Sequence, residues 1–289
     1  MSQTATAAAD STAQPGALAR HHFLLRRLHS LSGIIPVGVF VCFHLFTNFQ
    51  LTPLLFGQES TFQHEVNFIH DLPALLVLEV FGIWLPLAFH GLLGLVYTFS
   101  GRPNATTYTW ADNWRYTFQR ISGLIAFIFI FLHVATLRWR WDIFGWYTPF
   151  YGEVYLPDGS TVELATATTA VALQSAWWVL ALYVVGVFST VFHFANGLWT
   201  AAITWGFTLS VRGQKQWGYV CGAVGIALAV FSAGAIGGAM RYTPTEREQA
   251  AIEYAIENPE AAYSGSAIEE AVTGEEEVPR PTPAPDVAR

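Results

Sequence analysis

The chain has 289 residues, of which 53% are hydrophobic and only 12% are charged. Soluble domains carry about 25% charged residues, so this composition excludes an ordinary water-soluble globule and favours an integral membrane protein. Residues 241–289 hold eleven acidic residues and four arginines, which accounts for the whole formal net charge of −7. The hydrophobic remainder is close to neutral and lacks the basic surface that nucleic-acid binding needs.

The first segment of the chain, residues 1–23, contains no continuous apolar stretch. A cleavable signal peptide needs such a stretch, so the segment is predicted to be a disordered cytoplasmic arm. The two cysteines, Cys42 and Cys221, lack the spacing of a zinc or iron–sulfur site. Both are predicted to be small buried hydrophobic residues.

Five uncharged or nearly uncharged runs are long enough to cross a bilayer as helices. They cover residues 31–52, 72–99, 121–137, 172–209 and 217–240. The fourth run exceeds one crossing, because a helix of about 38 residues is about 57 Å long and the hydrocarbon core is about 30 Å thick. We interpret it as one tilted helix whose end protrudes, with two spans joined without a loop as the alternative.

Basic residues near the ends of the runs predict the orientation. The segments before the first run, between the second and third, and between the fourth and fifth carry eight Lys or Arg residues. The segment between the first and second runs carries none, and the one between the third and fourth carries two. The N-terminus is therefore predicted to be cytoplasmic. Residues 241–289 then form an external acidic, proline-containing tail, which begins with a short surface helix.

Each of the first four runs contains one histidine, at positions 44, 90, 133 and 193. Ionisable residues inside a membrane are costly and usually face the bundle interior with a partner. A lone histidine of this kind is commonly a hydrogen-bonding residue between helices. Four such histidines on four consecutive runs favour a shared role.

Depth sorts the four histidines into two pairs. Counted from the outer ends of the runs at the rise of an α-helix, His44 lies about 13 Å and His133 about 8 Å deep. On the same scale, His90 lies about 28 Å and His193 about 29 Å deep. Two imidazoles from different helices at one depth are what a six-coordinate haem iron needs. The sequence therefore predicts an outer and an inner haem, each with two histidine ligands.

Small residues follow the inner histidines, as a porphyrin lying against a helix would require. They are Gly91 and Gly94 after His90, and Ala195 and Gly197 after His193. Glycine is also simply frequent in membrane helices, so this signal has weight only together with the paired depths. His29 precedes the first run at its inner end, where it either meets the propionates of an inner haem or belongs to a basic cytoplasmic flank.

Four stretches carry a resemblance to a known family: RRLHSLSGIIPVGVFVCFHLF, EVFGIWLPLAFHGLLG, QRISGLIAFIFIFLHV and GVFSTVFHFANGLWTAAITWG. They resemble the five-helix, diheme cytochrome b subunit of succinate dehydrogenases of the Bacillus type. The similarity covers residues 24–240 in order and implies an all-α, haem-binding membrane bundle. The N-terminal arm, the long segment after the third run and the acidic tail are additions to that pattern.

The resemblance implies roles for particular residues. His90 and His193 would ligate the inner, higher-potential haem b, and His44 and His133 the outer, lower-potential one. The donors to the inner haem propionates would be His29, Ser30, Arg120 and Lys215. The resemblance also implies a flavoprotein and an iron–sulfur protein as cytoplasmic partners, which carry FAD and iron–sulfur clusters, and menaquinone as the electron acceptor.

Glu79 is the one carboxylate well inside a run, and it lies near the outer leaflet. It is a candidate proton donor to the reduced quinone, with a hydrogen bond to a neighbouring helix as the alternative.

Two alternatives to a succinate dehydrogenase subunit remain. One is a fumarate reductase on the same scaffold; the resembling fumarate reductases carry a glutamate in the fifth helix, and the absence of an acid from the fifth run favours succinate oxidation. The other is a haem-free transporter or structural membrane protein with hydrogen-bonded histidines.

Overall fold

The computed structural model describes residues 21–53, 61–101, 111–143, 148 and 150–263. Five helices within these residues are long and apolar enough to cross a membrane, which confirms the predicted all-α class. We call them spans 1 to 5 in chain order: His22–Phe49, Leu75–Ser100, Asn113–Leu137, Trp177–Thr204 and Val211–Arg241. Most of the predicted arm, residues 1–20, lies outside the described residues.

The described residues form nine helices and three short strands, apart from one 3-10 turn. The helices are α1 His22–Ile34, α2 Pro36–Phe49, α3 Phe62–His70, α4 Leu75–Ser100, α5 Ala111–Leu137, α6 Ala165–Gln174, α7 Trp177–Thr204, α8 Val211–Arg241 and α9 Glu246–Glu257. The strands are β1 Glu153–Tyr155, β2 Thr161–Glu163 and β3 Ala262–Tyr263.

Two spans depart from a regular α-helix. Span 1 divides at Ile35 into α1 and α2, because Pro36 has no N–H to donate into the preceding turn. Span 2, which is α4, begins after Ala74, a residue with positive φ, and contains a π-helical segment, Leu78–Trp84. π-Helical segments are rare in proteins, and many of those that occur lie at functional sites.

The fourth predicted run crosses the membrane once, as span 4, but the continuous helix expected over residues 172–209 is wrong. Ala176 is extended and separates α6 from α7, so residues 172–174 belong to a helix outside the span. At the other end the chain leaves the helix at Trp205 and turns at Gly206, whose φ of 79° suits glycine. Residues 172–176 and 205–209 of the predicted run thus lie outside the span.

Span 4 lies at the centre of the bundle and packs against spans 1, 3 and 5. Val179 and Tyr183 of span 4 belong to one buried cluster with Phe129 of span 3. A second cluster joins Val191 of span 4 to Leu45 of span 1 and Leu228 of span 5. Large apolar side chains that are exposed on the spans face the surface where lipid would lie.

The segment between spans 3 and 4 and the segment after span 5 fold together into a cap on one end of the bundle. The strands form an antiparallel sheet in the order β2-β1-β3, so β3 from the chain's last described residues pairs with β1. Helix α9 begins with a capping box between Thr245 and Glu248, which confirms the predicted surface helix. Of the predicted tail 241–289, Arg241 thus ends span 5, residues 242–263 are part of the cap, and residues 264–289 lie outside the described residues.

Buried side chains from both segments form the core of the cap. Tyr151 and Val154 pack with Ala251, Ile252 and Ala255. The Tyr242 hydroxyl donates a hydrogen bond of 2.6 Å to Glu248. Burial, together with this carboxylate, raises the pKa of Tyr242 above its usual range, so the phenol stays protonated.

Candidate functional site

The structure brings the four intramembrane histidines together in two pairs. The ring centres of His44 in span 1 and His133 in span 3 are 6.0 Å apart. Those of His90 in span 2 and His193 in span 4 are 6.1 Å apart. The pairs are the same as the two depth classes predicted from the sequence. We keep the predicted names, outer pair for His44 and His133 and inner pair for His90 and His193.

These separations fit coordination of one metal ion between two imidazoles. Two metal–nitrogen bonds of about 2 Å each, together with the distance from each nitrogen to its ring centre, add up to about 6 Å. No group of three or more His, Cys, Asp or Glu side chains in the described part of the chain is arranged to hold a metal ion. A haem iron takes two axial ligands beyond its porphyrin, and each pair supplies that number.

Backbone carbonyls fix the protonation of the inner pair. His90 Nδ1 lies 2.9 Å from the carbonyl oxygen of His29, and His193 Nδ1 lies 3.0 Å from that of Gln119. Since a carbonyl oxygen can only accept, both Nδ1 atoms carry the proton. The lone pair of each imidazole is then on Nε2, which is the atom left for a metal.

The two acceptor carbonyls lie in matching sequence settings. Each is followed by Ser-Gly after two further residues, and the serine hydroxyl donates to the same carbonyl: Ser32 to His29 at 3.0 Å and Ser122 to Gln119 at 3.2 Å. The glycine is needed because the histidine ring lies against it. A Cβ at Gly33 would collide with His90, and one at Gly123 would lie 2.7 Å from His193 Cε1.

Sequence reasoning chose other glycines. Gly91 faces Phe127, Gly94 faces His29, and Gly197 faces the side chain of Gln119. The signal that would have found Gly33 and Gly123 is the Ser-Gly dipeptide, which recurs about ten residues into both span 1 and span 3. Each dipeptide lies on the span that does not carry the histidine it accommodates.

The side chain of Gln119 adds a second connection to His193. Gln119 Nε2 donates to the His193 carbonyl at 3.0 Å, and Asn196 Nδ2 donates to Gln119 Oε1 at 2.7 Å. Asn196 is buried, so this pair of amides satisfies polar groups between spans 3 and 4. Both the ring and the backbone of His193 are therefore held by one residue.

The predicted propionate donors differ in their placement. His29 stacks on His90 with ring centres 4.1 Å apart and lies edge-on to Tyr97. Arg120 Nη2 donates to the Tyr97 carbonyl at 2.7 Å, and Ser30 lies half-buried beside His29. Lys215 is exposed near the start of span 5 and makes none of the contacts that join His29, Tyr97 and Arg120.

Two polar atoms beside the inner pair are buried without a hydrogen-bond partner, His29 Nδ1 and the Tyr97 hydroxyl. Buried polar groups in native proteins almost always have a partner, so these two indicate a polar ligand at this end of the inner pair. Sequence reasoning identified His29 but missed Tyr97.

Side chains, not carbonyls, flank the outer pair. His133 Nδ1 lies 3.1 Å from the hydroxyl of Tyr183, which is buried in span 4. Asn48 donates to the His44 carbonyl at 2.8 Å, and its amide nitrogen lies 3.4 Å from His44 Nε2. The outer pair thus has partners that a point substitution can remove.

Glu79 is one partner of an ion pair between spans 2 and 3. Arg138 Nη2 donates to Glu79 Oε1 at 2.7 Å, and the two side chains are only 15% (Glu79) and 21% (Arg138) exposed. The second carboxylate oxygen, Oε2, is buried without a hydrogen-bond partner. The carboxylate therefore combines a fixed position with one unused acceptor.

A comparison with family models finds no match. A comparison with curated proteins finds the succinate dehydrogenase cytochrome b558 subunit of Bacillus subtilis (strain 168), which is 36% identical over 207 residues. The matched region covers 72% of this chain and 92% of that protein. The chain belongs to the family of succinate dehydrogenase cytochrome b subunits. The family predicted from the four sequence stretches is thus confirmed, and the chain is a multi-pass membrane protein.

The role of the Ser-Gly glycines can be tested in this cytochrome b subunit. Gly123→Ala places a methyl group against His193 Cε1, so the imidazole ring must move from its position. We expect the haem content per chain of the purified protein to fall below that of the unsubstituted chain, measured from the reduced pyridine haemochrome.

Gly222→Ala in span 5 is the matched control, because a Cβ there meets nothing within 4 Å. Equal haem content in the two variants would show that Gly123 does not set the position of His193.

Proposed function

We propose that the chain is the electron-carrying membrane subunit of a succinate:quinone oxidoreductase, with two haem b groups and menaquinone as its electron acceptor. His90 and His193 would bind the inner haem, and His44 and His133 the outer one. The observation that carries the proposal is the presence of two histidine pairs at two depths, each with ring centres about 6 Å apart. Bound haem supplies reversible one-electron transfer at its iron.

The chain's own residues prepare the inner site for that cofactor. The carbonyls of His29 and Gln119 hold both imidazoles in the tautomer that leaves Nε2 free, so binding requires no proton rearrangement. His29 Nδ1 and the Tyr97 hydroxyl would donate hydrogen bonds to the propionates. Arg120 is close enough to Tyr97 to add positive charge there, and Ser30 and Lys215 are further donors at the same face.

The inner haem would receive electrons from partner subunits at the cytoplasmic face. Basic residues are concentrated in the segments at that end of the spans, which supports a cytoplasmic N-terminus and an external cap. The exposed Arg26, Arg212 and Lys215 offer a charged rim for docking. The relative is a subunit of succinate dehydrogenase, and the partners would be the flavoprotein with FAD and the iron–sulfur subunit.

Quinone reduction would take place near the outer pair. A quinone takes up two electrons and two protons to become a quinol, and Glu79 is the acid that would pass protons from the outer side. Electrons would cross from the inner face while protons enter from outside. Each charge moved across 100 mV changes the free energy by about 2.3 kcal/mol, so turnover would respond to the membrane potential.

The ligand assignment predicts two classes of histidine variant. His44→Ala or His133→Ala removes a ligand of the outer pair, and we expect the purified complex to lose one haem and keep the inner one. His90→Ala or His193→Ala should remove the inner haem instead. Redox titration of the haem absorbance separates the two components.

The wild-type protein should hold two b-type haems per chain. A colourless preparation would contradict the proposal and favour the structural or transport alternative. Loss of the same spectral component in His44→Ala and His90→Ala would contradict the pairing.

Tyr183 should set the midpoint potential of the outer haem. With Nε2 on the iron, His133 Nδ1 would carry the proton and donate to the Tyr183 hydroxyl oxygen 3.1 Å away, which would make the imidazole more basic and stabilise oxidised iron. We expect Tyr183→Phe to raise that potential by about 40 mV, which corresponds to about 1 kcal/mol for a one-electron couple. Spectroelectrochemical titration measures both haems at once.

The inner haem of the same variant serves as an internal reference, and Tyr219→Phe, at an exposed tyrosine of span 5, is the external control. Unchanged potentials in Tyr183→Phe would remove the tyrosine from the ligand environment.

Glu79→Gln tests the proton step. The amide keeps the size of the side chain but cannot deliver a proton, so we expect menaquinone reduction by the complex to slow by about 100-fold. Both haems and succinate oxidation with a soluble dye should be retained. Normal quinone turnover with both haems present would leave Glu79 as a structural partner of Arg138.

A further inference from the structure

The π-helical segment of span 2 places Glu79 and Trp84 on one face. In an α-helix, residues five positions apart point about 140° away from each other. In the segment Leu78–Trp84 the Leu85 N–H instead donates to the Val80 carbonyl, five residues back, so residues at this spacing lie one above the other. A carboxylate and an indole N–H are thus brought to the same side of the helix.

Two consecutive residues directly after span 3 contact this face. Arg138 forms the ion pair with Glu79, and the ring of Trp139 stacks on that of Trp84 with centres 6.0 Å apart and an interplanar angle of 25°. Trp139 in turn contacts Trp141, at 5.1 Å between ring centres. Trp139 and Trp141 are 43% and 50% exposed.

Two polar atoms on this face have no hydrogen-bond partner although both are buried, Glu79 Oε2 and Trp84 Nε1. A tryptophan that only anchors a span at the membrane surface directs its N–H towards water or lipid headgroups. Trp84 Nε1 is instead buried. A buried donor and a buried acceptor without partners fit the two states of one redox ligand. A quinone carbonyl accepts from the indole N–H, and the hydroxyl of the quinol formed from it donates to the carboxylate.

We propose that Glu79, Trp84, Arg138 and Trp139 form the headgroup site of the quinone. Trp84 donates its N–H to one quinone carbonyl, Glu79 faces the headgroup with Oε2, and the flat ring packs against the stack of Trp84 and Trp139. Arg138 is a positioning residue that holds the carboxylate in place. The prenyl tail leaves past the exposed Trp141 into lipid. This inference rests on the proposed function and names the residues that bind its substrate.

The test uses the complete complex with succinate as donor and a short-tailed naphthoquinone as acceptor. Trp84→Phe keeps an aromatic ring and removes the N–H. We expect the KM for the naphthoquinone to rise about tenfold, as for loss of one buried hydrogen bond, while succinate still reduces both haems. Trp177→Phe, at a tryptophan 82% exposed at the start of span 4, should leave KM unchanged.

The outcomes separate the site from the function. An unchanged KM in Trp84→Phe overturns the site and leaves the proposed function intact. Wild-type haems that succinate reduces but the naphthoquinone does not reoxidise overturn the proposed function itself. If Trp84→Phe does not assemble, Trp139→Leu on the exposed side carries the test: a KM raised several-fold supports the site, and an unchanged KM overturns it.

Discussion

The hydrogen bonds from two imidazoles to helix carbonyls determine much of the inner half of the bundle. Inside a bilayer no water is available, so the N–H of an imidazole needs a protein partner. His90 and His193 find theirs in the backbone of neighbouring spans, at His29 and Gln119. A ring can reach a helix backbone only where no side chain intervenes, which requires Gly33 and Gly123. Close contact between spans 1 and 2, and between spans 3 and 4, follows from that requirement.

The two histidine pairs differ in how their surroundings respond to change. A backbone carbonyl cannot be removed by substitution, so the inner imidazoles keep their tautomer in almost any variant. In the outer pair, His133 Nδ1 depends on the Tyr183 hydroxyl, which belongs to a side chain. The properties of the outer pair are therefore open to adjustment by single substitutions, whereas those of the inner pair depend on the fold.

The sequence predicted how far along each helix a residue lies, but it did not predict which neighbouring helix its side chain would meet. The five spans and the depths of the four histidines follow from hydropathy and the rise per residue. The partner of Glu79 did not follow, because Arg138 looked like a loop charge beyond the end of a span. The π-helical turn that aligns Glu79 with Trp84 leaves no pattern in a hydrophobic run. The cap was missed as a unit, since strands of two or three residues carry almost no periodic signal.

The pairing of β1 with β3 has a consequence for biogenesis. Strand β1 is synthesised between spans 3 and 4, but its neighbour β3 follows span 5. The sheet can therefore be completed only after the last span has been inserted and the segment behind it has crossed to the same side. Contacts between residues so distant in sequence form late, because the intervening chain must first be ordered. The cap would then be completed only on a bundle whose five spans are in place. A chain truncated before Ala262 would retain all five spans but leave one edge of β1 unpaired.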